Sequence, residues 1–91
     1  MTVLIDPPIW PGHGTVWSHL VSDASLTELH TVAARIGLPR RLFDEDHYDV
    51  PERLYDEAVA AGAQPVAGRE LIRRLLASGL RRDRATRGEQ R

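Results

Sequence analysis

The sequence predicts a small α/β domain with a short, mostly parallel sheet and about three helices. A β-branched run at the N-terminus, two helix-capping patterns and apolar stripes at helical spacing support this prediction. Strand-like and helix-like segments alternate along the chain, which is typical of parallel α/β sheets. The 91 residues make one domain, predicted over residues 1–79, and an arginine-rich, disordered tail over residues 80–91.

The predicted strands are short and apolar. The first, Thr2 to Ile5, ends at Asp6, because the Pro7–Pro8 pair that follows cannot continue the hydrogen bonding of a strand. Residues 7–15 hold three prolines and two glycines and are therefore predicted to be a loop. The other two candidate strands are residues 16–21 and 63–66.

Capping patterns and apolar spacing predict three helices, over residues 26–36, 51–61 and 69–78. Ser25 with Glu28 is a capping box directly before an apolar stripe. Asp49 stands three residues before Glu52 in the same way, so it is predicted to cap the second helix. The spacing in the third helix predicts that it buries four apolar residues, which are Leu71, Ile72, Leu75 and Leu76.

Composition and charge exclude several classes of protein. The chain has no cysteine, so disulfides and cysteine-ligated metals are excluded. No apolar run approaches the roughly 20 residues that span a bilayer, and the N-terminus lacks a signal-peptide pattern. We therefore expect a cytoplasmic protein without membrane contact. Residues 1–68 carry four arginines against ten acids, whereas residues 69–91 carry eight arginines against three acids.

Several short motifs together carry a family resemblance. They are W-S-H-L-x-x-D from Trp17, E-L-H-x-x-A-x-x-I-G from Glu28, H-Y-D from His47 and G-A-x-x-V from Gly62, preceded by a strand that ends at Asp6. The chain resembles, over roughly residues 2–76, a small bacterial and phage family called domain of unknown function 4031. The family has no assigned activity. Some relatives are fused to an HD-type phosphohydrolase domain, and this fusion implies nucleotide or phosphate chemistry.

Histidines and aspartates fall next to predicted element ends, where α/β sheets bind their ligands. His47 and Asp49 are the candidate catalytic residues, because a histidine can act as general acid or base beside a carboxylate that orients it. A divalent metal is the candidate cofactor, with four candidate ligands: Asp6, His19, His30 and His47. Three further residues are candidates for the same pocket: Trp17, Asp23 and Tyr48.

Each candidate also has a purely structural interpretation. Asp49 and Asp23 are explained as caps of a helix and a turn. His30 lies at the edge of an apolar stripe, where a half-buried histidine bonded to a carbonyl is common, and Trp17 is explained as a core residue. No pair of histidines has a known metal-binding spacing such as H-E-x-x-H. The sequence leaves both interpretations open.

Three functions fit these observations. We predict a non-catalytic binding or interaction module with a buried His/Asp network. The alternative is a metal- or phosphate-binding, hydrolase-like domain that acts on a nucleotide or a phosphorylated small molecule. A nucleic-acid accessory domain is disfavoured, because the acidic body would repel a phosphate backbone. The small core and open sheet edges also predict a homodimer, with Trp10 or Trp17 and the exposed side of Leu75–Leu76 in its interface.

Overall fold

A mixed sheet with helices on both faces is the framework of the computed structural model, which describes residues 2–80. Its six strands are β1 (Val3–Ile5), β2 (Trp10–Gly12), β3 (Thr15–Ser22), β4 (Phe43–Asp44), β5 (His47–Pro51) and β6 (Gln64–Pro65). The order across the sheet is β4-β5-β3-β1-β6, and β2 pairs with β3. The predicted tail, apart from Leu80, lies outside the described residues.

All three predicted helices are present, although the second is shorter than predicted. They are α1 (Leu26–Arg35), α2 (Tyr55–Ala60) and α3 (Gly68–Ser78), with short 3-10 turns over Arg40–Leu42 and Glu52–Leu54. The Ser25 cap is confirmed, because its hydroxyl accepts a hydrogen bond from the backbone N–H of Glu28. The Glu28 side chain does not complete the capping box and instead accepts a hydrogen bond from Ser22. Within residues 2–80, no helix is long and apolar enough to cross a bilayer.

The prediction of a mostly parallel sheet was wrong. β3 runs antiparallel to β1, β2 and β5, and β4 runs antiparallel to β5. In the described part of the chain only the β1–β6 pair is parallel. A parallel pair needs a long crossover connection, whereas a hairpin needs about two residues. The chain joins β2 to β3 and β4 to β5 by such hairpins. These strands are therefore antiparallel, and the alternation of strands and helices that was predicted for the chain does not describe them.

A hairpin turn lies inside the segment that was predicted to be a loop. His13 and Gly14 have φ angles of 47° and 79°, and two consecutive positive φ values are what the tightest β-hairpin turns require. The turn pairs β2 with β3, so that Trp10 stands directly opposite Trp17. The signal in the sequence was the His13–Gly14 pair, which lies midway between Trp10 and Trp17, the two tryptophans that share one face of the hairpin.

The predicted start of the second helix was also wrong. Asp49 does not cap a helix, because residues 47–51 form β5. Tyr48 and Val50 are buried on one face of this strand, while His47 and Asp49 point to the other face. The alternation of polar and apolar residues in H-Y-D-V was a strand signal that the capping pattern obscured.

Two apolar clusters fix the sheet between its helices. The larger one joins α1 and α2 to one face and includes Ile5, Leu20, Leu29 and Tyr48. The smaller one joins α3 to the opposite face and consists of buried Leu4, Val21, Leu71 and Leu75.

The predicted burial of α3 was half right. Leu71 and Leu75 are buried, but Ile72 and Leu76 are exposed, Leu76 at 57% of its surface. Because Leu75 is buried in the protein's own core, it is not available for the predicted dimer interface. Ile72 and Leu76 are the large apolar side chains that this helix exposes.

Candidate functional site

The candidate site lies on the α3 face of the sheet, beyond the part that α3 covers. Trp17 and His19 of β3 alternate with core residues and point to this face. The antiparallel register places Asp49 directly opposite His19, and Trp10 directly opposite Trp17. Residues on three strands therefore present their side chains on one side of the sheet.

Asp6 is held at a break in the sheet. Pro7 and Pro8 separate β1 from β2, although both strands pair with β3, so His19 faces a gap between them. The Asp6 carboxylate fills this gap: its Oδ1 accepts the backbone N–H of His19 at 2.6 Å, in place of a backbone carbonyl. Its Oδ2 lies 2.8 Å from Nδ1 of His19 and 3.3 Å from the indole nitrogen of Trp10. Asp6 is 2% exposed, so these contacts replace water.

The environment keeps Asp6 ionised. Burial alone raises the pKa of Asp6, but the hydrogen bonds from the side chain and backbone of His19, together with that from Trp10, lower the pKa below its ordinary value. Helix α3 begins beside this carboxylate without a side-chain cap, and a β-carbon on Gly68 would lie 3.7 Å from Oδ2. The partial positive charge of a helix N-terminus favours an anion in this position.

A second histidine is held in the same manner. Nδ1 of His47 lies 2.8 Å from Oδ1 of Asp46, which is 6% exposed, and its Nε2 lies 3.5 Å from Oδ1 of Asp49. Asp46 had been overlooked, since a run of three acidic residues is normally a solvated loop. Glu45 has a φ of 60°, and this sharp turn carries the chain from β4 to the buried Asp46.

The two histidines are in contact with each other. Their ring centroids are 5.6 Å apart, and the rings are nearly perpendicular. A carboxylate only accepts hydrogen bonds, so each Nδ1 that faces one must carry the proton. In the neutral form this leaves Nε2 of His19 as the acceptor nitrogen. Nε2 of His47 also faces a carboxylate, that of Asp49 at 3.5 Å, so in His47 it is the shorter contact of Nδ1 with Asp46 that favours the proton on Nδ1. In this arrangement the buried carboxylates orient the imidazoles.

An open cleft of about 440 Å³ adjoins His19. This volume lies within the range of small-molecule sites. Trp10 is 47% exposed beside it, and the Trp17 ring is fixed by a hydrogen bond of 2.8 Å from its Nε1–H to the carbonyl of Gly12. The side chains in its wall that matter chemically are Trp10, His13, Trp17, His19, Leu42 and Asp49.

The comparisons with known proteins identify a family. The model of the family described as protein of unknown function DUF4031 matches residues 3–78. The chain belongs to the DUF4031 family. No curated protein and no solved structure matches the chain. The matched range contains both His–Asp pairs and the whole wall of the cleft, so the candidate site lies within the DUF4031 domain.

In this DUF4031 protein His30 and Tyr48 lie on the opposite face of the sheet. Nδ1 of His30 is 2.7 Å from the hydroxyl of Tyr48, and the Phe43 ring lies against both rings. Burial, followed by the charge of Arg40, lowers the pKa of His30, and burial raises the pKa of Tyr48. The pair is therefore uncharged at neutral pH and joins α1 to β5. The structure does not bring either residue to the cleft.

Asp23 also lies away from the cleft and has a structural role. Its carboxylate accepts the backbone N–H of Thr2 and pairs with Arg74 of α3. Burial raises the pKa of Asp23, but the Thr2 hydrogen bond and the Arg74 charge lower it below its ordinary value. The pair fastens α3 to the end of the sheet.

Three of the four candidate metal ligands come together, namely Asp6, His19 and His47. Both oxygens of Asp6 already accept hydrogen bonds. Among residues 2–80, no group of three or more histidine, aspartate or glutamate side chains is arranged to hold a metal ion. The geometry of this DUF4031 domain therefore supports carboxylate-oriented histidines better than a metal centre.

Proposed function

We propose that this protein is a binding module that holds a small ligand in the cleft beside His19. One observation carries the proposal: at the wall of an open cleft, His19 is fixed by the buried Asp6 and is in contact with His47, which is fixed by the buried Asp46. A few pre-oriented polar groups in a wall of aromatic and apolar side chains are the usual composition of a small-molecule site.

The energetic cost of this arrangement supports a functional role. Burying a carboxylate is unfavourable unless it is well paired, and apolar residues in its place are often as stable or more stable. Asp6 and Asp46 are both nearly inaccessible to solvent. The fold has two apolar clusters that hold the helices without them. Two buried carboxylates that each orient one histidine are therefore better explained by binding than by stability.

Proton transfer by His19 is a second candidate function. The observation that favours it is the contact of Nδ1 with an ionised, buried carboxylate, which is how a general base is oriented in many hydrolases. A ligand that binds in the cleft and is converted over hours at neutral pH, as followed by its own NMR signals, would support this candidate. A bound ligand that stays unchanged supports the binding module alone.

The binding proposal predicts where ligand contacts will be seen. The chain has two tryptophans, Trp10 and Trp17, and both belong to the cleft wall. In a screen of small fragments by 1H–15N NMR, we expect the indole N–H signals of both to shift with the fragments that bind. His19→Ala should weaken these fragments by roughly 5- to 30-fold, because one oriented polar contact is typically worth about 1–2 kcal/mol.

His30→Ala is the matched control, since His30 lies on the opposite face of the sheet. This variant should keep the indole shifts even if its stability falls slightly. Fragments that shift other signals and leave both indoles unchanged would contradict the proposal, as would equal effects of His19→Ala and His30→Ala.

A further inference from the structure

We infer that the cleft selects a ligand with an organic cation, such as an ammonium or amidinium group, and rejects phosphate and other anions. This inference rests on the proposed binding function and names the chemical class of its ligand. It departs from the phosphorylated ligand that the family resemblance implies. Three properties of the cleft carry it: the sum of its charges, the exposed indole ring of Trp10 and the position of Asp49.

Among the charged side chains of residues 2–80 at the cleft, the charges do not sum to a positive value. The carboxylates of Asp6, Asp46 and Asp49 contribute −3, and protonation of both His19 and His47 would add +2, which leaves −1. Protonation of His13 as well would bring the sum only to zero. Within the described residues, no arginine belongs to the cleft wall. Phosphate sites use arginine, lysine or a free helix N-terminus, and here the start of α3 already faces the Asp6 carboxylate.

The aromatic wall is suited to a cation. The indole N–H of Trp10 is directed at Asp6, and that of Trp17 is directed at the carbonyl of Gly12. Both hydrogen bonds fix the rings. The His19 ring lies against Trp10, with the ring centroids 5.3 Å apart, and Trp10, which is 47% exposed, offers the cleft the rest of its ring surface. A cation gains more binding energy over the face of a tryptophan than over the face of any other aromatic side chain. An anion placed there would meet the negative face of the ring.

Asp49 supplies the complementary charge at a suitable separation. Its side chain is 55% exposed, and it stands on β5, opposite His19. Trp10 stands on β2, on the other side of β3. Two strand spacings across the sheet and an offset of two residues along β3 separate their backbones, or roughly 12 Å. Both side chains belong to the wall of the same cleft, so a ligand of the size of a substituted benzylamine can contact both, with its ring or its charged group against Trp10 and its donors toward Asp49.

Three probes of similar shape test the inference: benzyltrimethylammonium as the cation, benzyl alcohol as the neutral compound and benzylphosphonate as the anion. Each is titrated into the full chain, and binding is followed by the two indole N–H signals and by tryptophan fluorescence. We expect the cation to bind at least about 10-fold more tightly than the neutral probe, and the anion to bind more weakly still.

Variants identify the source of the preference. Asp49→Asn should reduce the affinity for the cation about 5-fold and leave the neutral probe unchanged. Asp56→Asn is the matched control. It removes an exposed carboxylate from α2, on the opposite face of the sheet, and should change neither the affinity for the cation nor that for the neutral probe. Trp10→Leu should reduce cation binding while the fold, judged by the remaining Trp17 indole signal, is retained.

The outcomes separate the ligand class from the binding function. Tighter binding of benzylphosphonate or of benzyl alcohol at the same two indoles overturns the organic-cation inference and leaves the binding function standing. The same result follows if Asp49→Asn leaves the cation affinity unchanged. If none of the three probes shifts either indole, the inference fails, and the fragment screen then decides whether the binding function fails with it.

Discussion

Asp6→Asn is expected to lower the free energy of unfolding by about 2–4 kcal/mol at pH 7, because a buried carboxylate loses its charge while its partners stay in place. Asp6 accepts the backbone N–H and the Nδ1–H of His19, as well as the indole N–H of Trp10. The amide that replaces it has one acceptor oxygen and directs an NH2 group at donors. The asparagine therefore has the same shape as the aspartate but leaves at least one of the buried N–H donors of His19 and Trp10 without an acceptor.

Urea denaturation of both proteins measures this loss. Asp49→Asn is the control, because this carboxylate is half exposed and should cost less than about 0.5 kcal/mol. Equal stability of Asp6→Asn and the unchanged protein would show that Asp6 is not held as described.

The pH dependence of stability has a definite sign for Asp6. Its pKa in the folded protein is below that of an unfolded aspartate, about 3.9. The stabilisation is therefore complete above roughly pH 4 and is lost as the pH falls through the folded pKa. We expect Asp6→Asn to lose less stability between pH 5 and pH 2 than the unchanged protein, since the asparagine does not titrate.

Leu75→Ala is expected to lower the free energy of unfolding by about 3 kcal/mol, which is typical of a fully buried leucine. Leu75 packs with Leu4, Val21 and Leu71 in the small cluster that holds α3. A cluster of this size has few neighbouring side chains that can close the cavity. Because the start of α3 lies over Asp6, the variant should also expose the Asp6–His19 pair and weaken ligand binding.

Leu76→Ala is the matched control for this prediction. Leu76 is the next residue on the same helix, but it is 57% exposed, so its removal should cost less than about 1 kcal/mol. Chemical denaturation of the two variants side by side makes the comparison. Equal losses would show that α3 does not pack on the sheet through the face described.

The helices could be predicted because their signals are local. The Ser25 cap and the apolar stripe of α1 lie within about ten residues of each other, and the structure has both. The direction of the strands is not local, because it depends on how the chain turns between them. The His13–Gly14 turn decides the pairing of β2 and β3, and it was hidden in a segment rich in proline and glycine.

The candidate site could be predicted only in part. The structure brings Asp6, His19, His47 and Asp49 together, but through antiparallel register rather than through the shared end of parallel strands. Asp46 was overlooked because nothing in the sequence separates a buried aspartate from its solvated neighbours. The predicted homodimer stays a prediction.

His30 and Tyr48 were assigned to the same site as His47, and strand geometry explains why they lie elsewhere. Tyr48 follows His47 directly in β5, and successive side chains of a strand point to opposite faces. Once residues 47–51 are recognised as a strand, Tyr48 must face the core with Leu20, and its partner His30 lies there too. Because residues 47–51 were not recognised as a strand, Tyr48 and His30 were wrongly assigned to the same site as His47.

The tautomers of the histidines test the central claim most directly. Long-range 1H–15N NMR spectra distinguish a proton on Nδ1 from one on Nε2, and they report on all four histidines of the chain at once. At a pH where the rings are neutral, we predict that His19 and His47 carry their proton on Nδ1, facing Asp6 and Asp46. His13, exposed at the hairpin turn, should show mainly the Nε2–H form that is preferred in water. A neutral His19 with its proton on Nε2 would contradict the account, because the buried carboxylate would then not orient the imidazole at the cleft.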